Sequence, residues 1–157
     1  AYLNSRAPQK ALAAFERAII IDSEYVDALQ NLGALHHQRW LTLKEQHDYD
    51  RAISLFNRII SIDPEFSGAY TSRGVAYLQW GKTEDAIASW EQAIKFAPEA
   101  GKTYYYLGLA YKSLEQPEKA IAAFEQALIT AGSEDTRNKI RRHLDELYGV
   151  DGQSIAP

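Results

Sequence analysis

Apolar positions recur at helical spacing along most of the chain, and the helical stretches themselves recur. Across residues 67–134 a 34-residue pattern is written twice. Tyr70, Gly74, Tyr77, Ala86 and Ala93 return 34 positions later as Tyr104, Gly108, Tyr111, Ala120 and Ala127. Trp90 is answered by Phe124 and Pro98 by Gly132 at the same offset. In each unit an aromatic, a glycine and a tyrosine at positions 4, 8 and 11 predict a first helix. Alanine, a large aromatic and alanine at positions 20, 24 and 27 predict a second. Glycine inside a helix costs ~1 kcal/mol against alanine, so its recurrence at position 8 predicts a close approach by a neighbouring helix. Gly81 predicts a left-handed end to a first helix, Pro117 the opening of a second helix, and Pro64 and Pro98 the ends of two others.

The flanks follow the same pattern less regularly. In residues 1–25, Ala11, Phe15 and Ala18 take the places of Ala86, Trp90 and Ala93, and Tyr2 falls where Tyr77 would be. Leu12 and Ile19 widen that face, and Pro8 suits a first turn. This reads as half a unit, whose apolar face a longer parent chain or a partner would cover. Residues 26–66 align Gly33, Ala52, Phe56 and Pro64 with Gly74, Ala86, Trp90 and Pro98, but Gly33 to Ala52 is 19 residues where Gly74 to Ala86 is 12. Seven residues are inserted, most simply Trp40–Gln46. At about 3.6 residues per turn, each arm of the hairpin gains about one turn. The expected tip lies near Lys44–Asp48, with Asp48 as N-cap of the returning helix. Residues 133–149 predict one more helix, capped by Ser133 and stopped by Gly149, with Ile140, Leu144, Leu147 and Tyr148 as its apolar stripe. Residues 150–157 are expected to form a flexible tail.

Composition narrows the function classes. At 157 residues, with 46% hydrophobic and 24% charged residues, the chain can bury a substantial core and fits one domain. Net charge is −4 and the pI about 5.6, which argues against a nucleic-acid partner, since that needs a concentrated positive face. No cysteine is present, so neither a disulfide nor a thiolate metal site can form. No apolar run approaches the ~20 residues of a membrane span. No direct membrane insertion is expected, and a soluble, cytoplasmic setting is the default. The chain begins with neither Met nor a signal peptide, consistent with a segment of something longer.

The residues aligned above resemble the tetratricopeptide repeat (TPR) family, which has this period. The resemblance implies an all-α fold, a right-handed superhelical stack of antiparallel helix hairpins. On this reading 1–149 is the TPR domain: a partial repeat at 1–25, repeats at 26–66, 67–100 and 101–134, and a capping helix at 135–149. It implies a protein-interaction scaffold or adaptor, acting for instance as an assembly factor, that holds a protein or peptide in a concave groove lined by the first helices. Family geometry carries Gln30, Ala34 and His37 to that groove, then Thr71, Val75 and Leu78, then Lys102, Tyr105, Leu109 and Lys112. Leu78, Tyr105 and Leu109 are the apolar anchors, unless they only complete helix packing. The chaperone-binding type of TPR grips a carboxylate end with Lys, Asn, Asn, Lys and Arg at positions that here hold Gln30, Ala34, Ser72, Lys102 and Tyr106. Only Lys102 fits, so a chaperone tail is not the expected ligand. Arg73, at an ordinarily apolar position, is a further departure.

Other chemistry finds little footing. Trp40, Leu41 and Leu43 lie in the insertion and suggest a second contact surface, unless they pack on the facing helix. Together with the open N-terminal edge they raise an alternative role, a self-associating structural module. His36 holds the place of Tyr77 and Tyr111, and His36 and His37 diverge by about 100° on a helix, too far for a chelating pair. Neither a metal nor another cofactor is expected. No phosphate loop, nucleophile elbow or HExxH is present, so an enzyme is not expected. The basic run from Arg137 to His143 is diluted by Asp135, Asp145 and Glu146 and reads as the wet face of a cap.

Overall fold

Each unit alternates two amphipathic stretches with a short break, and each stretch becomes one helix. The computed structural model describes residues 6–149. Its helices are α1 (Arg6–Ile21), α2 (Val26–Leu43), α3 (Gln46–Ile62), α4 (Ser67–Gln79), α5 (Thr83–Phe96), α6 (Gly101–Ser113), α7 (Pro117–Ile129) and α8 (Glu134–Tyr148). No strand occurs among the described residues. The chain forms two compact units, one up to Ser89 and one from Trp90 onward, with the boundary inside α5. The place given to Tyr2 and the tail at 150–157 lie outside the described residues.

In the first unit α2 packs on α3, α3 on α4 and α1 on α2, and α2 also meets α4. Leu29 and Leu32 of α2, Leu55, Phe56 and Ile59 of α3, and Ala69 and Ala76 of α4 form its core, with Leu12, Phe15 and Ile19 of α1 packed against it. In the second unit α6 packs on α7 and α7 on α8. Phe124 and its alanine neighbours meet Ile140 and Leu144 of α8, and Trp90 stacks on Tyr106 with ring centroids 5.4 Å apart.

The recurrent glycine has a specific occupant beside it. A Cβ on Gly108 would stand 2.6 Å from the ring of Phe124, and one on Gly33 would stand 2.7 Å from the ring of Phe56. Both rings are fully buried. The glycine at position 8 therefore makes room for the aromatic at position 24 of the same unit. Gly81 closes α4 at φ 84°: its N–H donates to Leu78 O and that of Lys82 to Tyr77 O, both at 2.9 Å. One period later Glu115 adopts the same left-handed turn at φ 55°, and the Gln116 N–H donates to Tyr111 O at 2.9 Å.

The insertion lengthens both arms of its hairpin. α2 has 18 residues against 13 in α4 and α6, and α3 has 17 against 14 in α5 and 13 in α7. The turn is Lys44–Glu45, with Lys44 at φ 58° donating its N–H to Trp40 O. Asp48 is not the N-cap. Glu45 holds that place without a side-chain capping bond, and Asp48 lies in the first turn, wholly buried. At α8 the Ser133 hydroxyl accepts from the Thr136 N–H at 3.2 Å, and Gly149 ends the helix at φ 69°.

Candidate functional site

In the first unit the inner face is cross-tied by polar rungs between α2 and α4. Gln30 donates from Nε2 to Ser72 Oγ at 2.7 Å, and His37 Nε2 meets Gln79 Oε1 at 2.8 Å. Burial, which disfavours the charged imidazolium, lowers the His37 pKa, and the Gln79 bond opposes it. Ala34 is exposed between the rungs, while Thr71, Val75 and Leu78 are half-buried along α4. Arg73, the departure noted above, donates to Asn57 Oδ1 at 2.7 Å and to the buried Ser89 hydroxyl at 3.1 Å. It joins α3 to α5 where an apolar side chain would have packed.

At the long hairpin Trp40 is only 4% exposed. It packs against Tyr49 and Trp80 with ring centroids 5.9 and 5.2 Å away, and Lys44 Nζ caps it at 4.4 Å. Trp40 is therefore core, and the reading of it as contact surface is corrected. The extra turn of α2 carries its indole to the rings of α3 and the end of α4. Leu41 and Leu43 point outward, 37% and 45% exposed. Beneath the tip a polar group is buried that sequence reasoning missed. Asp48 Oδ1 meets His36 Nδ1 at 2.7 Å, and Asp48 Oδ2 lies 3.4 Å from Arg39 Nε. The available signal was a double departure: His36 stands where other units have tyrosine, and Asp48 where they have Lys82 and Gln116.

In the second unit α8 covers part of the face presented by α6. Leu109 packs onto the cluster that includes Ile140 and Leu144. The Tyr105 ring lies 6.0 Å from those of Phe124 and His143, and Lys112 pairs with Glu146. Toward the N-terminal end of α6 the helices part around a cavity of about 510 Å³, lined by Lys102, Tyr105, Tyr106, Thr130, Thr136 and Lys139 among others. Lys102 is exposed, 5.8 Å above the Tyr106 ring, while Lys139 pairs with Asp135 at 2.5 Å and holds that carboxyl below its ordinary pKa. Thr136 and Lys139 stand one period after Lys102 and Tyr105. α8 thus continues the register of a first helix, hidden in the sequence because Arg142 and Asp145 replace the glycine and tyrosine.

Two phenols are pushed up to about 12: Tyr49 mainly by burial, and Tyr111 by burial together with its 2.9 Å bond to Glu91. A phenol whose folded pKa exceeds its unfolded value near 10 contributes stability that is complete below pH 10 and lost as pH rises toward 12. Absorbance titration at alkaline pH is expected to show a late tyrosinate fraction, with stability falling over that window. Replacing both residues by phenylalanine should remove the late fraction. Tyrosines that all titrate together near 10 would contradict the assignment.

The repeated pairs of antiparallel helices with small residues at their crossings define a helical repeat protein. Family models agree: a TPR repeat model matches residues 74–115, and two tetratricopeptide repeat models match residues 101–130 and 55–88. Over residues 55–130 the chain consists of tetratricopeptide repeats, and it belongs to that family. Solved structures share the fold. The thermophilic TPR protein TTC0263 of Thermus thermophilus has a TM-score of 0.75 at 19% identity, covering 85% of this chain and 71% of that one. MamA (residues 41 to the end) of Desulfovibrio magneticus RS-1 has 0.68 at 22%, covering 96% and 89%. The first TPR of Spaghetti (RPAP3), bound to the HSP90 peptide SRMEEVD, has 0.65 at 23%, covering 81% and 98%. No curated protein matches the chain by sequence. No helix among the described residues is long and apolar enough to cross a membrane.

Proposed function

We propose that the chain is a protein-interaction scaffold that receives a peptide or protein segment against the first helices of its repeats. The observation that carries this reading is the cavity of about 510 Å³ beside Lys102, Tyr105 and Lys139. It combines aromatic walls with two ammonium groups, a mixture suited to a segment carrying an apolar anchor and an acidic neighbour. Spaghetti (RPAP3) holds an HSP90 peptide. The same ligand is not proposed here: Gln30 and Ser72 bond each other, Ala34 offers no donor, and Tyr106 stacks on Trp90.

Peptides selected from a displayed random library on this chain test the reading. Binding is expected to fall at least tenfold, ~1.4 kcal/mol, with Lys102→Glu plus Lys139→Glu, and to be unchanged with Lys119→Glu on α7. Peptides indifferent to the first pair would overturn the assignment. The alternative, self-association, is favoured by one observation: Ile20 and Ile21 at the end of α1 are 80% and 87% exposed. Under that reading, light scattering shows oligomers that Ile20→Ser with Ile21→Ser returns to monomer.

A further inference from the structure

We propose that the tip of the long hairpin binds a late first-row divalent cation, of which Zn²⁺ is the probe of choice, through Glu45, His47 and Asp48. One donor atom from each residue lies within 4.8 Å of the other two, the one such group among the described residues. His47 Nε2 is 3.6 Å from Asp48 Oδ1, and His47 Nδ1 is 3.5 Å from Glu45 Oε2. Those spacings are long for hydrogen bonds, which centre near 2.9 Å. Each is close to the ~3.4 Å between two donors that each sit ~2.1 Å from a tetrahedral ion. An ion takes only one ring nitrogen, so the exposed His47 side chain must turn to bring that nitrogen to both carboxylates.

The buried side of the group supplies an independent sign. Asp48 is fully buried, and its Oδ2 makes no hydrogen bond, its one partner being the partly exposed Arg39 in an ion pair at 3.4 Å. His36, also buried, fixes Asp48 Oδ1 from behind at 2.7 Å, the support that a ligating carboxylate ordinarily has. Of the three, His47 lines an open cavity of about 580 Å³ together with His36, Glu16 and Asp50, which gives an ion its path to the imidazole.

The donor set selects the ion. An imidazole with two carboxylates favours zinc, nickel or copper over magnesium and calcium, which take all-oxygen shells. Two negative charges balance a divalent ion, but Arg39, Arg51 and the positive end of α3 oppose it, so affinity is modest rather than that of a closed structural site. None of this was legible from ligand spacing. Glu45 is extended at the N-cap while His47 and Asp48 lie in the first turn, and only that change of backbone brings all three together.

Calorimetric titration of the full chain with Zn²⁺ is expected to show one saturable equivalent and a matching rise in Tm, since an ion bound only by the folded state stabilises it. His47→Ala should abolish both. Its side chain is 66% exposed, so the substitution spares the fold. His143→Ala, on α8, should leave both intact. The proposal is overturned if the wild-type chain shows no saturable binding, or if His47→Ala reproduces the wild-type isotherm.

Discussion

Asp48→Ala is expected to destabilise the first unit by about 3 kcal/mol, measured by denaturant titration in the presence of a chelator so that no metal contributes. Breaking a buried pair from one side costs about 3–5 kcal/mol, because the partner keeps its desolvation without its compensation. Asp48 is wholly buried, His36 meets it at 2.7 Å and Arg39 at 3.4 Å. The Arg39 side chain is 32% exposed and can turn to water, which places the effect at the lower end of that range. Asp48→Asn keeps an oxygen acceptor for His36 and should cost about 1 kcal/mol, the net worth of an ordinary hydrogen bond. Converting the pair to apolar groups, His36→Phe with Asp48→Leu, should recover most of the loss. Trp40 and Trp80, both packed on Tyr49, the residue after Asp48, report unfolding of the hairpin by fluorescence. An Asp48→Ala chain as stable as the parent would show that the buried carboxylate does not hold the hairpin.

Phe124→Ala is expected to cost the second unit about 3–5 kcal/mol, the range for truncating a fully buried aromatic ring. For a domain with ~5–15 kcal/mol in total, that is a large share. The ring is inaccessible to solvent and fills the slot left by Gly108. Gly108→Ala acts on the same contact from the other side. Removing glycine from a helix gains ~1 kcal/mol in propensity, but the new methyl would stand 2.6 Å from a ring that cannot withdraw. Overpacking costs ~1–3 kcal/mol, so Gly108→Ala is expected to be net destabilising by about 1 kcal/mol. Combined with Phe124→Ala, the clash disappears and only the propensity gain remains. The double variant should therefore be more stable than Phe124→Ala alone. Gly132→Ala serves as control, since nothing lies within 4 Å of its added Cβ. Additive effects of the two substitutions would refute the coupling.

The helix pairs were legible in the sequence because they depend on local periodicity. Gly81, Pro117 and Ser133 each mark an element boundary through backbone chemistry that acts within a few residues. The insertion was legible for the same reason, as a change in the distance between Gly33 and Ala52. The candidate surfaces were less so. Tyr105 and Leu109 could be placed on one helical face, but that α8 packs over part of it depends on Ile140 and Leu144 finding the α7 cluster. Trp40 illustrates the limit from the other direction: the sequence left both a contact surface and packing on the facing helix open, and Tyr49 of that helix with Trp80, 40 positions away, decides for packing.

By itself, then, the sequence determined the repeating frame, since helix period, glycine clearance and turn residues act over distances shorter than one unit. Only the tertiary structure decided which departures became core and which stayed at the surface. Asp48 was expected as a cap and became a buried partner of His36, bringing His47 and Glu45 beside it. Burial is a property of what the opposite helix presents, and that is set across the hairpin rather than along it.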